Sequence, residues 1–217
     1  MINLSRLKIG VIGGTPIDTK MGMDFIKKNG FETFGMPAAS NPKEQNYLQY
    51  MKPQVLNEKI TNFIKEFNDN HIYKIMIYCN SLCSALDLKN IKKTFSTTLI
   101  ITPHDVYCKL AKKYNSLMIW AANGQSLYNI EKIFYEQNPG IKLIGITLLP
   151  LVISIEKGMM AEDIVDEFKL QNILNQIDYV EGILLGCTHL PYLKDILQKS
   201  YNLPIIDPAD EMLNLLI

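Results

Sequence analysis

The stretch that decides the fold is Ile75-Met76-Ile77-Tyr78-Cys79-Asn80-Ser81, an apolar run that ends in a cysteine followed by small polar residues. A second stretch, Ile183-Leu184-Leu185-Gly186-Cys187-Thr188-His189, has the same design. Each pattern predicts a buried strand that stops at a thiol, with a helix beginning just after it. Open α/β sheets bind ligands at the carboxyl ends of their parallel strands. The two thiols are therefore predicted to border one cleft, with a proton-transfer group on either side.

Apolar runs and amphipathic segments alternate along almost the whole chain. Strands are predicted at Lys8–Ile12, Tyr73–Tyr78, Thr97–Ile101, Leu117–Ala121, Lys142–Thr147, Gly182–Gly186 and Ile205–Ile206. Helices are predicted at Lys20–Asn29, Asn57–Asn68, Ala85–Thr94, Val106–Tyr114, Ser126–Glu136, Ala161–Gln176 and Leu193–Tyr201, with a last one from Ala209. Strands that are apolar throughout are typical of parallel sheets covered on both faces. The pattern predicts an α/β fold, and the repeated cysteine segment suggests two related lobes.

Composition excludes several classes of function. The 217 residues are 47% hydrophobic and 20% charged, and 22 basic residues balance 22 acidic ones. A chain without net charge has no field to attract a polyanion, so nucleic acid is not an expected partner. No apolar run approaches the roughly 20 residues of a membrane helix, and no signal peptide is recognisable at the N-terminus. Four cysteines in such a chain indicate reduced thiols and a cytoplasmic location.

Cys79 and Cys187 are the candidate reactive groups. A cysteine after a strand is often only a small buried apolar residue. Backbone N–H groups and the positive end of a helix dipole at such a position favour the reactive thiolate, and the arrangement occurs twice. Cys83 and Cys108 are interpreted as structural. A zinc set of Cys79, Cys83, Cys187 and His189 is conceivable, but the two pairs lack the usual turn residues, and no metal is expected.

Other candidate residues surround the two thiols in the predicted topology. Gly14 and Thr15 follow the first strand, where glycines let a backbone approach a ligand; an ordinary tight turn is the alternative. The G-x-x-G-G spacing is not the dinucleotide fingerprint. His189 is a plausible acid/base partner of Cys187, although it could also cap its helix. The stretch Phe34–Pro53 is read as a loop near the cleft or as a surface connection.

These residues resemble motifs of the aspartate/glutamate racemase superfamily, and of glutamate racemases in particular. The family's C-N-T/S motif is matched by Cys79-Asn80-Ser81, and its G-C-T-H-x-P motif is matched in full by residues 186–191. Ala121-Ala122-Asn123-Gly124 resembles the A-T-x-G turn, and Ile206-Asp207-Pro208-Ala209 resembles the closing strand-to-helix segment. The motifs keep their order from end to end of the chain.

The resemblance implies two α/β lobes, each with a parallel sheet flanked by helices, and an active site in the cleft between them. The first lobe would comprise residues 1–95 plus 205–217, and the second residues 96–204. The resemblance further implies a homodimer and amino-acid racemisation without a cofactor, in which Cys79 and Cys187 act on opposite faces of the substrate α-carbon. His189 would assist Cys187. Candidate substrate-binding residues are Gly14, Thr15, Asn80, Ser81, Asn123 and Thr188.

Departures from the family pattern leave the substrate open among glutamate, aspartate and a less acidic amino acid. The family has D-S-G, with an aspartate that assists the first cysteine, where this chain has Gly13-Gly14-Thr15; Asp18 is the nearest substitute. Pro37-Ala38-Ala39-Ser40 stands in the P-Y-G region. Ala122 and Gln125 replace threonines around the A-T-x-G turn. Only Lys43 and Lys20 are candidate basic partners for a side-chain carboxylate.

Two other readings remain open at this point. A relative that protonates a carbanion from one face, such as an arylmalonate decarboxylase, or a hydantoin-type racemase, would use the same cleft. An amino-acid-binding protein that has lost turnover would also be consistent with the altered first loop.

Overall fold

The structure is a computed structural model that describes residues 7–177 and 179–217. Its strands are β1 (Lys8–Gly13), β2 (Glu32–Pro37), β3 (Lys74–Tyr78), β4 (Leu99–Ile101), β5 (Ser116–Ala121), β6 (Lys142–Thr147), β7 (Ile183–Gly186) and β8 (Ile205–Ile206). Its helices are α1 (Pro16–Lys28), α2 (Pro42–Met51), α3 (Pro53–Asp69), α4 (Asn80–Ala85), α5 (Leu88–Thr94), α6 (Pro103–Lys113), α7 (Gly124–Gln137), α8 (Leu149–Glu156), α9 (Ala161–Glu167), α10 (Leu170–Asn175), α11 (Lys194–Ser200) and α12 (Ala209–Leu216). A short 3-10 helix covers Leu190–Leu193.

The strands form two parallel sheets with the same strand order. The first sheet has the order β2-β1-β3-β4, and the second has the order β6-β5-β7-β8. Every strand pair in both sheets is parallel. The predicted class, α/β with two similar lobes that each contain a parallel sheet flanked by helices, is confirmed.

The chain divides into two compact units. One runs to Pro103 and includes Ala209–Ile217, and the other is His104–Pro208. The predicted boundaries, at 95/96 and 204/205, differ from these. Strand β4 pairs with β3 and so extends the first sheet, while β8 pairs with β7 and so belongs to the second. Of the C-terminal segment, only α12 packs on the first sheet, against β3 and β4.

Each sheet buries its own apolar core. In the first unit, Ile75 and Ile77 of β3 pack with the apolar stripe of α3, which is formed by Leu56, Ile60 and Ile64. These three residues recur at helical spacing, so one face of α3 covers the sheet. In the second unit, buried residues of β5 and β7 pack with Ile130 and Phe134 of α7. The burial of two faces per sheet explains why these strands are apolar throughout.

The stretch Phe34–Pro53, read from the sequence as a loop, contains the end of strand β2 and the whole of helix α2. Strand β2 lies at the edge of its sheet, and all of its residues except Thr33 are exposed or half-buried, so it lacks the apolar run of a central strand. Helix α2 begins at Asn41, whose side chain caps it, with Pro42 in the first turn. This correction matters because α2 carries a residue that contacts Cys79.

Three further helical segments differ from the predictions. Helix α8 was not predicted, because its sequence is apolar all round and contains Pro150. The helix predicted over Ala161–Gln176 is interrupted at Lys169, which has a φ of 49° and separates α9 from α10. The helix predicted at Ala85–Thr94 starts later, at Leu88, as α5, and the separate helix α4 starts directly after Cys79 and ends at Ala85.

Across the described ranges, none of the helices combines the length and the apolar character that crossing a lipid bilayer requires.

Candidate functional site

The two cysteines occupy equivalent positions in the two sheets. Cys79 follows β3 and Cys187 follows β7, and each of these is the third strand of its sheet in chain order. The residue before each cysteine pairs with the last residue of the first strand of the sheet: Tyr78 with Gly13 of β1, and Gly186 with Ala121 of β5. In both sheets the first strand has the second strand on one side and the third on the other. Such a reversal of strand order is where α/β sheets bind ligands, at the carboxyl ends of the strands. Each unit therefore presents one cysteine at the edge where ligands bind in α/β sheets of this kind.

Cys79 is buried at the start of α4 and contacts two polar side chains. It is 3% exposed and is the N-cap residue of the helix. The amide Nε2 of Gln45 donates a hydrogen bond to Sγ of Cys79 at 3.1 Å. The hydroxyl of Ser81 lies 3.9 Å from the same sulfur. The thiol is thus surrounded by hydrogen-bonding groups, as a proton-transfer residue requires.

The loop after β1 is held by an internal network of hydrogen bonds. The backbone N–H of Gly14 donates to Oδ2 of Asp18 at 2.8 Å. The hydroxyl of Thr15 accepts from the backbone N–H of Asp18 at 3.2 Å and so caps α1. Thr15 and Asp18 are both fully buried. The role predicted for Gly14 and Thr15 in substrate binding stays a prediction.

Neither Gly13 nor Gly14 has room for a side chain. A Cβ on Gly13 would lie 2.3 Å from the hydroxyl of Thr19 and 2.6 Å from its backbone nitrogen. A Cβ on Gly14 would lie 2.2 Å from Nε2 of Gln45. Because Gln45 also contacts Cys79, one amide brings the glycine loop and the cysteine together.

Cys187 has a different set of partners. Nδ1 of His189 lies 3.7 Å from Sγ of Cys187, and Nε2 of the same ring lies 2.7 Å from Oε1 of Glu156. Cys187 and His189 are 4% and 3% exposed. Nδ1 faces the sulfur, and with an ionised Glu156, which can only accept, Nε2 carries the hydrogen. This chain of groups can exchange a proton between the thiol and the imidazole.

The remaining predicted site residues lie beside the two cysteines within their own units. Asn80 and Ser81 form the first turn of α4, and both are buried. Thr188, also buried, lies between Cys187 and His189. Asn123 follows β5 and caps α7, its Oδ1 accepting from the backbone N–H of Ser126 at 2.9 Å. It is the counterpart of Thr15, which caps the helix after β1.

Two further predictions concern a metal site and the lysines that could bind a substrate carboxylate. Among residues 7–177 and 179–217, no three His, Cys, Asp or Glu side chains are grouped so that they could hold a metal ion. Lys20 forms an exposed ion pair with Asp24, one turn further along α1. Lys43 lies on the exposed face of the first turn of α2.

Sequence reasoning missed Gln45 and Glu156. Both lie on helices that were not predicted, α2 and α8, and each contacts a residue more than 30 positions away in the chain. The spacing of Gln45 and Gln49 could have indicated a helix here, because residues four apart lie on the same helix face. Glu156, at the end of an apolar segment, carried no comparable signal.

Comparison with known proteins finds similarity to racemases in sequence and in fold. No family model matches the chain. A glutamate racemase of Buchnera aphidicola is 30% identical over 166 residues, which are 72% of this chain and 62% of that protein. The chain thus spans less than two thirds of the length of this curated relative.

Solved structures share the fold over nearly the whole chain. Glutamate racemase from Francisella tularensis, in complex with D-glutamate, superposes with a TM-score of 0.69 and 18% identity, covering 98% of this chain and 80% of that one. Aspartate racemase from Picrophilus torridus superposes with a TM-score of 0.65 and 17% identity, covering 96% and 92%. The chain is thus similar in sequence to a glutamate racemase and shares its fold with glutamate and aspartate racemases. The predicted resemblance to the aspartate/glutamate racemase superfamily is confirmed.

The loop of Gly13-Gly14-Thr15, which stands where the sequence comparison expects D-S-G, is crowded at both glycines. At Gly13 the neighbouring backbone of Thr19 leaves no space, and at Gly14 the space is filled by Gln45. Asp18 does approach the loop, but its Oδ2 accepts the N–H of Gly14. The amide of Gln45 on α2 contacts Cys79 from outside the cysteine's own segment.

Proposed function

We propose that the protein is a cofactor-independent amino-acid racemase in which Cys79 and Cys187 exchange protons with the substrate α-carbon. The single observation that carries the proposal is the equivalence of the two thiols: each follows the third strand of a sheet of the same order, and each has hydrogen-bonding side chains at its sulfur. Kinship with glutamate racemases supports the reaction class.

The proposed reaction transfers one proton in each of two steps. One thiolate removes the α-proton and becomes a thiol, which leaves a carbanion at Cα. The other cysteine, a thiol at the start, gives its proton to the opposite face and becomes a thiolate. The product has inverted configuration, and the two cysteines have exchanged protonation states. The reverse reaction uses the same two groups in opposite roles, so the enzyme acts on both enantiomers.

His189 and Glu156 support this chemistry on the side of Cys187. The imidazole faces the sulfur through Nδ1 and is oriented by the carboxylate at Nε2. A ring held in this way can take the thiol proton and return it, which keeps a thiolate available without bulk water. We assign His189 as the acid/base partner of Cys187 and Glu156 as the residue that orients it.

The substrate is proposed to be an α-amino acid. Asn80, Ser81, Asn123 and Thr188 are polar, lie at strand ends and are suited to bind an α-carboxylate and ammonium group by hydrogen bonds. Gly14 and Thr15 border the same edge in the first unit. Glutamate is the first substrate to test, since the Francisella relative of the same fold binds D-glutamate. Aspartate and neutral amino acids are the next.

A homodimer and a cytoplasmic location complete the proposal. None of the four cysteines, all of which the structure describes, takes part in a disulfide, and two of them must remain thiols for the proposed reaction. The dimer follows from the family resemblance and is tested by light scattering on the purified protein.

The test is a racemisation screen over both enantiomers of glutamate, aspartate and neutral amino acids, followed by chiral chromatography. We expect turnover of at least one amino acid by the wild type, loss of turnover in Cys79→Ser and Cys187→Ser, and retention in Cys108→Ser. A hydantoin and an arylmalonate are included in the panel. Turnover of either in place of every amino acid, or tight amino-acid binding without turnover, would contradict the proposal.

A further inference from the structure

Gln45 approaches Cys79 through a segment that is tied to the glycine loop. The backbone N–H groups of Ala38 and Ala39 donate to the carbonyls of Gly13 and Gly14 at 2.9 and 3.0 Å. The chain leaving β2 therefore runs beside the loop before it enters α2. Because the backbone is fixed on both sides, the amide at Gln45 is directed to the carboxyl edge of the sheet.

The first turn of α2 is fixed by its cap. Oδ1 of Asn41 accepts from the backbone N–H of Glu44 at 3.0 Å. The carboxylate of Glu44 in turn accepts from the backbone N–H of Ser40 at 2.8 Å and from the Ser40 hydroxyl. These reciprocal bonds resemble a capping box, which stabilises a helix start. Gln45 follows at once in this fixed turn and is 8% exposed.

Gly14 provides the space that Gln45 occupies. Nε2, Cδ and Oε1 of Gln45 would all lie within 2.8 Å of a Cβ at this position. Gly14 does not have a positive φ, so its backbone conformation does not itself require glycine. The glycine is needed for the close approach of the amide, and thus Gly14, Gln45 and Cys79 form one packed unit.

We propose that Gln45 is a positioning residue that holds Cys79 as a thiolate in the resting protein, and that Gly14 is the gap that admits it. The inference rests on the proposed function for its catalytic meaning. An amide N–H donates to sulfur at every pH in use and accepts no proton, and its bond is stronger when the acceptor is ionised. Cys79 then begins the reaction as the base, while Cys187, facing Nδ1 of His189, supplies the proton.

In this proposal Cys79 starts as a thiolate and Cys187 as a thiol because the side chains that contact the two sulfurs differ. Ser81 and His189 occupy corresponding positions, two residues after each cysteine. At this position Cys187 meets an imidazole, which can titrate, whereas Cys79 meets a hydroxyl and, in addition, the Gln45 amide, which accepts no proton. The helices around Cys79 carry several titratable groups, among them the buried Asp18 of α1 and Cys83 of α4, the half-buried Glu44 of α2, and Lys59 of α3. None of these groups is changed in the test below.

The experiment is a thiolate absorbance titration without substrate. Each protein is compared with the same protein carrying Cys79→Ser, so that the difference reports Cys79 alone. Loss of a hydrogen bond to a charged group in Gln45→Leu should raise the titration midpoint by about one pH unit or more. Gln45→Glu, which replaces the donor with a negative charge, should raise it further. Gly14→Ala, which displaces the amide, should resemble Gln45→Leu.

Gln49→Met is the matched control, because Gln49 is a buried glutamine one turn further along α2. It should leave the Cys79 midpoint unchanged, and Cys187, titrated in the same way, should not respond to any of these variants. A Cys79 midpoint in Gln45→Leu equal to or below that of the wild type overturns the inference. Should Gln45→Leu fail to fold, Gly14→Ala gives the same decision.

The titration needs no turnover, so the two proposals can fail separately. A shifted midpoint in a protein that racemises nothing contradicts the proposed function and upholds the role of Gln45. Active racemisation, with a Cys79 midpoint that does not shift in Gln45→Leu, upholds the proposed function and contradicts the role of Gln45.

Discussion

Oε1 of Glu156 lies 2.7 Å from Nε2 of His189, and the two side chains are only 12% and 4% exposed. A carboxylate so far from water needs a partner, and the imidazole N–H supplies one. The bond also fixes the ring, which leaves Nδ1 facing Cys187 at 3.7 Å. Glu156 thereby determines which nitrogen of His189 serves the thiol.

We expect Glu156→Gln to lower kcat by roughly a hundredfold with a smaller change in KM. The amide can donate as well as accept, so it no longer fixes the tautomer of His189. Steady-state racemisation measures the effect. Glu162→Gln, at the exposed start of α9, is the control and should keep wild-type kcat. Equal kcat in the two variants would remove Glu156 from the mechanism.

Gln49→Met should stabilise the protein by about 1 kcal/mol or more. Gln49 is 2% exposed, and neither polar atom of its amide has a hydrogen-bond partner among the described residues. Methionine keeps the unbranched shape and removes the cost of burying an unpaired amide. The free energy of unfolding in urea checks this. Gln54→Leu, at an exposed position on α3, should change it by less than about 0.5 kcal/mol. A clear loss of stability in Gln49→Met would contradict the packing described for α2.

The cap of α2 should weaken in acid. Hydrogen bonds from the Ser40 hydroxyl and backbone N–H lower the pKa of Glu44 below its ordinary value of 4.5. Since the pKa is lower in the folded than in the unfolded chain, the stabilisation is fully present above the unfolded pKa. It is lost as the pH falls through the folded pKa.

Urea midpoints of the wild type and Glu44→Gln, measured from neutral pH into acid, test this sign. The wild type should be more stable at neutral pH, and the difference should shrink below the ordinary glutamate pKa. In a Ser40→Ala background the difference should be smaller throughout, because one of the two bonds is absent. A difference that stays constant or grows in acid would refute the assignment.

Gly13→Ala should destabilise the protein by roughly 1–3 kcal/mol. Its Cβ would meet the backbone as well as the hydroxyl of Thr19, and backbone cannot move aside cheaply. Gly124→Ala is the matched case, since no atom lies within 4 Å of a Cβ there and the position opens helix α7. It should be neutral or slightly stabilising. Thermal unfolding of the two variants compares them, and equal melting temperatures would contradict the crowding at Gly13.

The central strands could be predicted from the sequence, whereas the edges of the units could not. Strand β3 and strand β7 are continuous apolar runs because both of their faces are covered. Strand β2, at an edge, mixes polar residues with Gly35 and Pro37 and gives no such signal. Helix α8 is apolar all round, so the helical period that marks an amphipathic helix is missing.

In the candidate site, too, some residues could be predicted from the sequence and others could not. Cys79, Cys187 and His189 lie in short motifs directly after strands, and their positions within each unit follow from local sequence. Gln45 contacts Cys79 over 34 positions of the chain, and Glu156 contacts His189 over 33. Local patterns carry no record of such contacts, because the partners become neighbours only when the sheets form.

The most direct test of the central claim, that two thiols serve opposite faces of one carbon, is deuterium uptake at Cα in heavy water. The wild type should label both enantiomers of its substrate. Cys79→Ser and Cys187→Ser should each lose inversion and exchange the α-proton of one enantiomer only, with opposite preferences, while Cys108→Ser behaves as the wild type. Absence of labelling by the wild type, or the same enantiomer labelled by both cysteine variants, would contradict the account.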